Sequence, residues 1–585
     1  MKLKNILMSA AMVGTLASCN MDEVYYSQVV PDNFVEGETN IYQLLSRPFY
    51  HWKVFCAEHV FSINEFMADA MINPARTTGD WYDNGQYIQL HDHTMNWEHS
   101  RSDTNWKEAM QGVARCLVVM DQLNGLDYNA LHLTEEDRAA HLGQMQAMIG
   151  YFYMKTLDWY GGAPIYESTT DPLKPRATAK ETFDYAEQLL KDAVAGLPAR
   201  KSVDQEIDGY IYKGAAAMLL AELYFNAESY IGVSMFNECE QICEDIINGV
   251  YGPYELESTW HGPFDFDNAS STEIVWGVPA DYTQMKNDWW TNFFPYRISR
   301  YFGISTSFPG SCNNGWCLAP SRNPEGKLYM ETNPEIKLGS PYEKYDEGDL
   351  RKKLYRYNGN RQYEGMFLIG DLKDDRYEDR ICTGNRSWLN GKMISLTDCV
   401  APFSKLKSAD NPNGEYNSAA ELPSEMYYCA EENAGVRLVK YPIPDESDYK
   451  LYGTASQPVL RLTEVYYTLA ECKFRKGDKQ GAADLINAVR KRNFDGGNDP
   501  NPVTASNLDQ WRLLDEWMIE FLGEGRRRID LIRWGVFHTE NWWSHKATND
   551  KNVCRLPVGD SVMGSNNLLK QNPGYGGDEL SADEI

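Results

Sequence analysis

Apolar residues recur at helical spacing in both end regions of this 585-residue chain, and the stretch between them lacks that pattern. One periodic run spans 106–120 and another spans 183–197. Thr178 and Glu181 precede the second run as a capping box, and Pro198 ends it. The patterning predicts a mainly α fold whose helices form a frame around a segment of a different kind.

Further helices are predicted on both sides of that segment. The one that reaches Tyr160 should end there, because Gly161 and Gly162 break a helix and Pro164 prevents it from resuming. Neighbouring helices joined by short connections favour tetratricopeptide-like pairs, in which each pair buries its apolar face on the next. The predicted ranges are 137–160, 208–229, 235–248, 459–476, 479–492 and 508–522.

The middle of the chain is predicted to be a large irregular, loop-rich insertion over about 251–440. Gly, Pro, Asn and Asp punctuate short aromatic stretches there. We expect the helical frame to cover about 40–250 and 440–540, with residues 19–585 forming a single α-rich globular unit. Loops held by a rigid scaffold commonly carry binding function, so the insertion is expected to contribute to a ligand site.

The N-terminus predicts a lipid anchor. Two lysines precede an uncharged, largely apolar run over 6–16, which is too short to span a bilayer and is typical of a signal peptide, here residues 1–18. The Leu-Ala-Ser-Cys sequence that ends at Cys19 resembles the lipobox of bacterial lipoproteins, which implies cleavage before Cys19 and acylation of its thiol. Asp22 and Glu23 follow closely and resemble a surface-export signal, so we expect an outer-membrane protein that faces the cell exterior.

Composition excludes several classes of function. With 84 acidic and 56 basic residues, the formal charge is −28, which disfavours nucleic acid because phosphate binding needs clustered Lys and Arg. The twelve cysteines include no C-x-x-C pair and no zinc spacing, so no cofactor is expected. No G-x-S-x-G, H-E-x-x-H or glycine-rich phosphate loop is present.

Aromatic residues in polar, loop-like surroundings are the candidate ligand contacts. An indole ring can stack on the C–H face of a sugar, while nearby Asp, Asn and Arg side chains bond the hydroxyl groups. The alternative for each residue is ordinary loop packing. The candidates are Trp81, Tyr82, Trp97, Trp289, Trp290, Tyr296 and Trp316, together with Arg76.

Two groups of residues offer weaker metal-binding hypotheses. His91, His93 and His99 carry imidazoles that suit zinc or nickel, but no carboxylate spacing completes a site, so solvated or locally bonded histidines are favoured. Clustered oxygens over 265–268 could hold a structural calcium ion, although no EF-hand-like loop is present. The calcium candidates are Asp265, Asp267 and Asn268.

Several separated stretches match one family in the expected order. The resemblance is to the SusD/RagB outer-membrane nutrient-binding lipoproteins of Bacteroidetes. Leu350 departs from the usual Asp-Pro-Arg pattern, and the strongest single match is 520–535. The matching stretches are 69–71, 76–83, 151–165, 349–351, 461–471, 487–492, 520–535 and 571–575.

The resemblance implies a non-catalytic protein that captures a glycan and delivers it to a SusC-type TonB-dependent transporter, over which it acts as a lid. It also implies an aromatic arc contributed by a loop near Trp97 and by the middle insertion. Peptide cargo is an open alternative, and a glycoside hydrolase or a ligand-free helical adaptor are weaker ones. The arginines and acids over 524–533 are interpreted as a structural network, because guanidinium groups bind carboxylates bidentately and tie helices together.

Overall fold

The structure is a computed structural model. It describes residues 35, 37–77, 82–280, 316–373, 381–384, 389–409, 411–423, 426, 428–444, 448, 451 and 454–581.

The chain begins with α1 (Glu38–Phe55), which continues through a π-helical turn at Cys56–Val60 into α2 (Phe61–Phe66). The remaining helices, in chain order, are α3 (Gln86–His91), α4 (Ser100–Gly125), α5 (Glu135–Tyr160), α6 (Ala179–Gly196), α7 (Lys213–Phe225), α8 (Ala227–Ile231), α9 (Phe236–Ile247), α10 (Tyr329–Thr332), α11 (Leu462–Arg475), α12 (Lys479–Arg490), α13 (Gln510–Phe521), α14 (Arg527–Arg533) and α15 (Asp560–Ser565).

These helices form a continuous stack in which successive helices pack on one another. Helix α4 packs on α5, α5 on α6, α6 on α7, α7 on α9, α9 on α11 and α11 on α12. The contact between α9 and α11 joins segments more than 200 residues apart, so the stack closes across the irregular middle of the chain. The predicted mainly α fold with tetratricopeptide-like pairs is confirmed.

Local sequence sets the helix ends as expected. At the start of α6, Thr178 Oγ1 accepts a hydrogen bond from Glu181 N at 3.2 Å, and the Glu181 carboxylate accepts one from Thr178 N at 2.9 Å. Helix α5 ends at Gly161, whose φ of 76° lies in the left-handed region that glycine adopts without strain. The predicted capping box and the predicted break after Tyr160 are both confirmed.

Three differences from the sequence prediction have physical causes. The predicted helix 208–229 is divided at Asn226 into α7 and α8, and residues 457–461 form a strand that leads into α11. Helix α1 was missed because Pro48 lies inside it, where proline removes a backbone donor. Burial of the apolar face of α1 compensates for the hydrogen bond lost at Pro48, since Ile41, Leu45 and Trp52 are almost completely inaccessible to solvent.

The strands are short and pair two by two within the described residues. The pairs are β1 (Met71–Ile72) with β4 (Cys317–Leu318), β2 (Ala75–Arg76) with β10 (Cys429–Ala430), β3 (Ile274–Val278) with β12 (Gln457–Arg461), β5 (Arg356–Gly359) with β6 (Gln362–Glu364), β7 (Phe367–Leu368) with β11 (Arg437–Leu438), and β8 (Gly370–Asp371) with β9 (Ser395–Leu396). Strands β2 and β10 run parallel, and the other five pairs are antiparallel.

One large apolar core joins the helical stack to the strands of the middle region. A second, small cluster includes Ile72 of β1, Ala430 of β10, Tyr428 and Trp543, and Ile88 of α3 packs against it. This small cluster supports the loop that follows β2, which is where the exposed aromatic residues lie.

Candidate functional site

Two of the aromatic residues proposed as ligand contacts are exposed on one loop, residues 82–99, which we call the early loop. The side chain of Tyr82 is 53% exposed and that of Trp97 is 46% exposed. Helix α3 lies between them. Large aromatic rings left in water mark a surface that a ligand can cover, so the early loop is the candidate site.

Buried and exposed residues alternate along the second half of the early loop, from the last residue of α3 through the turn that follows it. The exposed polar residues precede Trp97 within five positions of the chain, and sequence reasoning did not select them as site residues. The buried residues are His91, His93 and Met95, and the exposed residues are Asp92, Thr94 and Asn96.

The buried histidines fasten the early loop to the core. His93 Nε2 lies 2.8 Å from the carbonyl oxygen of Met67, and His91 Nε2 lies 3.0 Å from Ser544 Oγ. His545 Nδ1 lies 2.7 Å from the His91 carbonyl oxygen. Burial lowers the pKa of His91 and His93 well below the ordinary value and lowers the pKa of His545 to about 4. The three imidazoles are therefore neutral at pH 7 and serve as hydrogen-bonding anchors.

His99 closes the loop at its far end and caps α4. Its Nδ1 accepts a hydrogen bond from Arg101 N at 3.1 Å, so in the neutral ring Nε2 carries the proton and donates to the Gln86 carbonyl oxygen at 3.1 Å. The Asn96 carbonyl oxygen accepts a hydrogen bond from His99 N at 3.1 Å. Trp97 therefore lies in a closed turn whose base is tied to the start of α3.

The backbone of Trp97 is fixed while its indole ring is exposed. Its carbonyl oxygen accepts a hydrogen bond from Asp560 N at the start of α15 at 3.2 Å. On the other side, Asn96 Oδ1 accepts a hydrogen bond from Glu98 N at 3.0 Å. A backbone that is fixed before binding loses little conformational entropy when a ligand arrives, and the exposed ring of Trp97 is available for stacking.

Trp316 lies in the core. It is 6% exposed, and its ring centroid lies 5.0 Å from those of both Phe61 and Phe66. The expectation that Trp316 occupies a polar surface loop is wrong, because it immediately precedes β4 and the pairing of β4 with β1 carries it inward.

Arg76 is also buried. It is 3% exposed and belongs to β2, and its Nη1 donates a hydrogen bond to the Glu431 carbonyl oxygen at 2.9 Å. Its guanidinium group thus joins β2 to the segment after β10 and is not presented at the surface beside Trp97. The expectation that Arg76 contacts ligand has no support in this placement.

The other predicted site residues lie outside the described residues, and their roles stay predictions. They are Cys19, the lipidation site, together with Trp81, Trp289, Trp290 and Tyr296.

The side chains considered for metal binding have protein partners. His91, His93 and His99 each place a ring nitrogen on a protein oxygen. Asn268 exchanges hydrogen bonds with the Ser456 backbone, and the calcium candidate Asp267 forms an ion pair with Arg361, while Asp265 Oδ1 accepts a hydrogen bond from Phe266 N. Within the part of the chain that the structure describes, no three His, Cys, Asp or Glu residues are arranged to hold a metal ion.

The charged stretch at 524–533 belongs to a buried network of arginines and carboxylates, which we call the arginine network. Arg461 contacts Glu520 at 2.9 Å and Glu273 at 3.0 Å, and its Nε donates to Glu524 at 2.8 Å. Burial alone would raise the pKa of Glu520, but Arg461 and the neighbouring arginines hold it well below its ordinary value. The network also includes Arg351, Arg492, Arg526, Arg527, Arg528 and Arg533 with Asp69, Asp158, Glu464, Glu471 and Asp530.

The network joins distant parts of the fold. Arg527 holds Asp69 with two bonds, at 2.6 and 3.0 Å, and thereby ties α14 to the residue that precedes β1 by two positions. Arg533 holds Glu471 of α11 with two bonds, at 2.8 and 2.9 Å. These bidentate contacts confirm that the stretch is structural.

Two family models match separate regions of the chain. The model of the SusD family matches residues 272–575, and a model described as starch-binding and associating with the outer membrane matches residues 56–225.

Individual relatives agree with these matches. The starch-binding protein SusD of Bacteroides thetaiotaomicron is 24% identical over 519 residues, which cover 85% of this chain and 82% of that protein. Among solved structures, surface glycan-binding protein A from Bacteroides fluxus aligns with a TM-score of 0.61 at 19% identity over 92% of this chain and 99% of that chain. A laminarin-binding SusD-like protein aligns with a TM-score of 0.61 at 18% identity over 92% of this chain and all of that chain. At these identities the structural likeness shows the fold.

The described residues include no helix that is both long enough and apolar enough to cross a membrane.

Proposed function

This chain belongs to the SusD family, and we propose that it captures a glycan on the early loop and hands it to a membrane transporter without chemical change. The observation that carries the proposal is the exposed indole of Trp97, held by a fixed backbone and flanked by exposed polar side chains. Relatives whose names state an activity are named for binding starch, laminarin or glycans, so the chain is a binding protein rather than an enzyme.

Glycan is the cargo class that this surface fits best. A pyranose ring presents an apolar C–H face to the indole, and its hydroxyl groups meet neighbouring hydrogen-bonding groups. Asp92, Thr94, Asn96 and Glu98 provide such groups within a few residues of Trp97. Tyr82 provides a second exposed ring on the same loop.

The proposal that the chain delivers its glycan to a transporter rests on the predicted lipid anchor and on the family. The family model over 56–225 is described as associating with the outer membrane, and acylation of Cys19 would hold the chain there, since more than one acyl chain gives a stable hold. We place the protein on the outer face of that membrane, with a SusC-type TonB-dependent transporter as its partner. In this arrangement residues 1–18 are the signal peptide and 19–585 the binding unit, with 251–440 inserted into the helical frame.

Affinity gel electrophoresis tests the cargo class. Soluble protein that begins after Cys19 is run through gels that contain single neutral polysaccharides, and a peptide mixture is titrated separately by calorimetry. We expect at least one polysaccharide to retard the wild type, Trp97→Ala to abolish the retardation, and Tyr50→Ala to preserve it. Tyr50 is the matched control because it is a similarly exposed aromatic residue, at 55%, that belongs to α1 and not to the early loop. Binding of peptides with no retardation by any polysaccharide would replace glycan with peptide as the cargo.

Delivery is tested separately in the native outer membrane. We expect the transporter to co-purify with the wild type and not with Cys19→Ala, which should also leave the membrane fraction. An unchanged membrane location of Cys19→Ala would contradict the proposed anchor.

A further inference from the structure

A cleft of about 580 Å³ lies at the C-terminal end of α5, and we call it the α5 cleft. Its volume is within the range of small-molecule sites, which is roughly 300–1,000 Å³. It is separate from the early loop, and of the described aromatic residues proposed as glycan contacts, Tyr82, Trp97 and Trp316 do not line it. Its walls come from α5, α8, α14 and two later segments, and include Leu157, Tyr230, Ile529, Ile532, Trp534 and Asn572.

Arg555 lines the α5 cleft without an acidic partner. Within the described residues no carboxylate lies at ion-pair distance from its guanidinium group, whereas each arginine of the arginine network has at least one. Burial lowers the pKa of Arg555 below its ordinary value, which is the expected direction for a cation that loses water and gains no counter-ion.

A second arginine, Arg176, lies close to Arg555. Arg176 Nη1 donates to the carbonyl oxygen of Lys570 at 3.0 Å and to Asn572 Oδ1 at 3.1 Å, so within the described residues it too is bonded without a carboxylate. Burial, followed by repulsion from Arg555, lowers the pKa of Arg176 to about 9. An anion placed in the cleft would relieve this repulsion.

The end of α5 positions both arginines. Arg176 Nη2 donates to the carbonyl oxygen of Tyr160, the last residue of the helix. The Arg555 guanidinium lies so close to Gly161 that a Cβ there would come within 2.5 Å of Cζ. Carbonyl groups at a helix C-terminus favour cations, so the helix end holds two positive groups in place without neutralising them.

The remaining charges of the cleft favour a ligand with one acidic group and several hydroxyl groups. Lys551 is exposed on the wall that carries Arg555, and Glu228 is exposed on α8. Asp158 is neutralised by Arg528 at 3.0 Å. A ligand carboxylate can meet Arg555, while Glu228 can accept hydrogen bonds from hydroxyl groups and would repel a second carboxylate.

We infer that the α5 cleft is a binding site for a sugar acid, whose single carboxylate pairs with Arg555 and whose hydroxyl groups face Glu228. This inference does not depend on glycan capture by the early loop. A charge-assisted, bidentate contact with arginine in a partly dehydrated cleft is the kind of contact that discriminates an acid from its neutral analogue.

Calorimetric titration with three probes tests the inference at low ionic strength. Sodium glucuronate should bind, glucose should not because it lacks the carboxylate, and acetate should bind at least about tenfold more weakly because it lacks the hydroxyl groups. Equal binding of glucuronate and glucose would overturn the role of Arg555, and equal binding of glucuronate and acetate would overturn the sugar-acid class. No binding of glucuronate would overturn the site.

Variants locate the binding. Arg555→Gln should weaken glucuronate binding at least about tenfold, while Arg555→Lys retains part of it because the charge remains. Lys551→Glu changes an exposed side chain, so it should fold normally and weaken binding even if Arg555→Gln proves unstable. Tyr50→Ala is the control and should bind glucuronate like the wild type, because Tyr50 lies on α1 and does not line the α5 cleft. Loss of binding in Trp97→Ala with retention in folded Lys551→Glu and Arg555→Gln would move the acid to the early loop and refute the α5 cleft.

Discussion

The arginine network and the early loop differ in which of their polar groups are buried and which are exposed to water. In the network, guanidinium and carboxylate groups are buried against one another, and each charge is compensated by its neighbour. In the early loop, neutral histidines are buried while an indole ring and several polar side chains are left in water. The more conspicuous sequence motif is therefore scaffold, and the less conspicuous loop is the candidate site.

The largest effect that would test this contrast is the loss of one network arginine. Arg533→Ala leaves the Glu471 carboxylate buried with one partner fewer, and breaking a buried pair in this way typically costs about 3–5 kcal/mol. We expect the free energy of unfolding in urea to fall by that order, or the protein not to fold. Lys180→Ala is the control, because the Lys180–Asp184 pair is exposed and should contribute little. A stable Arg533→Ala variant that lost only ligand binding would reverse the assignment of the two regions.

Substitutions of two tryptophans should affect stability and ligand binding separately. Trp316→Ala removes a ring packed on Phe61 and Phe66 and should lower the free energy of unfolding by about 3–5 kcal/mol. Trp97→Ala removes a ring that is 46% exposed and should leave the thermal midpoint nearly unchanged while glycan binding is lost. Thermal denaturation and affinity electrophoresis of the two variants, measured together, check this. The opposite pattern would show that Trp316 is the ligand contact.

As the pH falls, the early loop should lose stability before the arginine network does. Folding holds His91, His93 and His545 neutral, so below the ordinary histidine pKa of 6.5 the unfolded chain binds more protons than the folded one. Their contribution is complete above about pH 6.5 and is lost as the pH falls below that value. The network carboxylates Glu520 and Glu524 have lowered pKa values, so their contribution is lost only as the pH falls below about 4.5.

Amide hydrogen exchange, measured for individual peptides at a series of pH values, distinguishes the pH range of the histidines from that of the network carboxylates. Protection of residues 90–99 should decrease between pH 6.5 and 4.5, while protection of α11 and α13 persists. His545→Gln keeps a hydrogen-bonding side chain without the titration, so its loss of protection in this window should be smaller. Simultaneous loss in both regions of the wild type would show that the early loop does not open independently.

Periodicity and capping predicted much of the frame, because those signals are local. Thr178 with Glu181 marks a helix start and Gly161 a helix end whatever lies elsewhere in the chain. The strands were not predicted, since each has few residues and exists through a partner distant in sequence, as when β4 pairs with β1. Trp316 was misplaced for the same reason.

The candidate site was predictable only in part. A tryptophan beside Asn and Glu indicates a surface ring, and Trp97 is one. The same reasoning applied to Arg76 failed, because its burial depends on a strand pair formed with residues more than 350 positions away. No sequence pattern indicates the α5 cleft. Arg176 and Arg555 are far apart in the chain, and folding brings them together at the end of α5.

The smallest effect concerns how the early loop presents Trp97. His99→Ala removes the cap of α4 and the hydrogen bond to Gln86, and loss of a cap costs about 1 kcal/mol. His99→Asn can restore the cap but does not reproduce the bond from the ring to Gln86. We therefore expect amide exchange in the first turn of α4 to be normal in His99→Asn and faster in His99→Ala, with glycan affinity reduced several-fold in both. Normal affinity in His99→Asn would show that capping α4 is enough to position Trp97, and the Gln86 contact would then be incidental to binding.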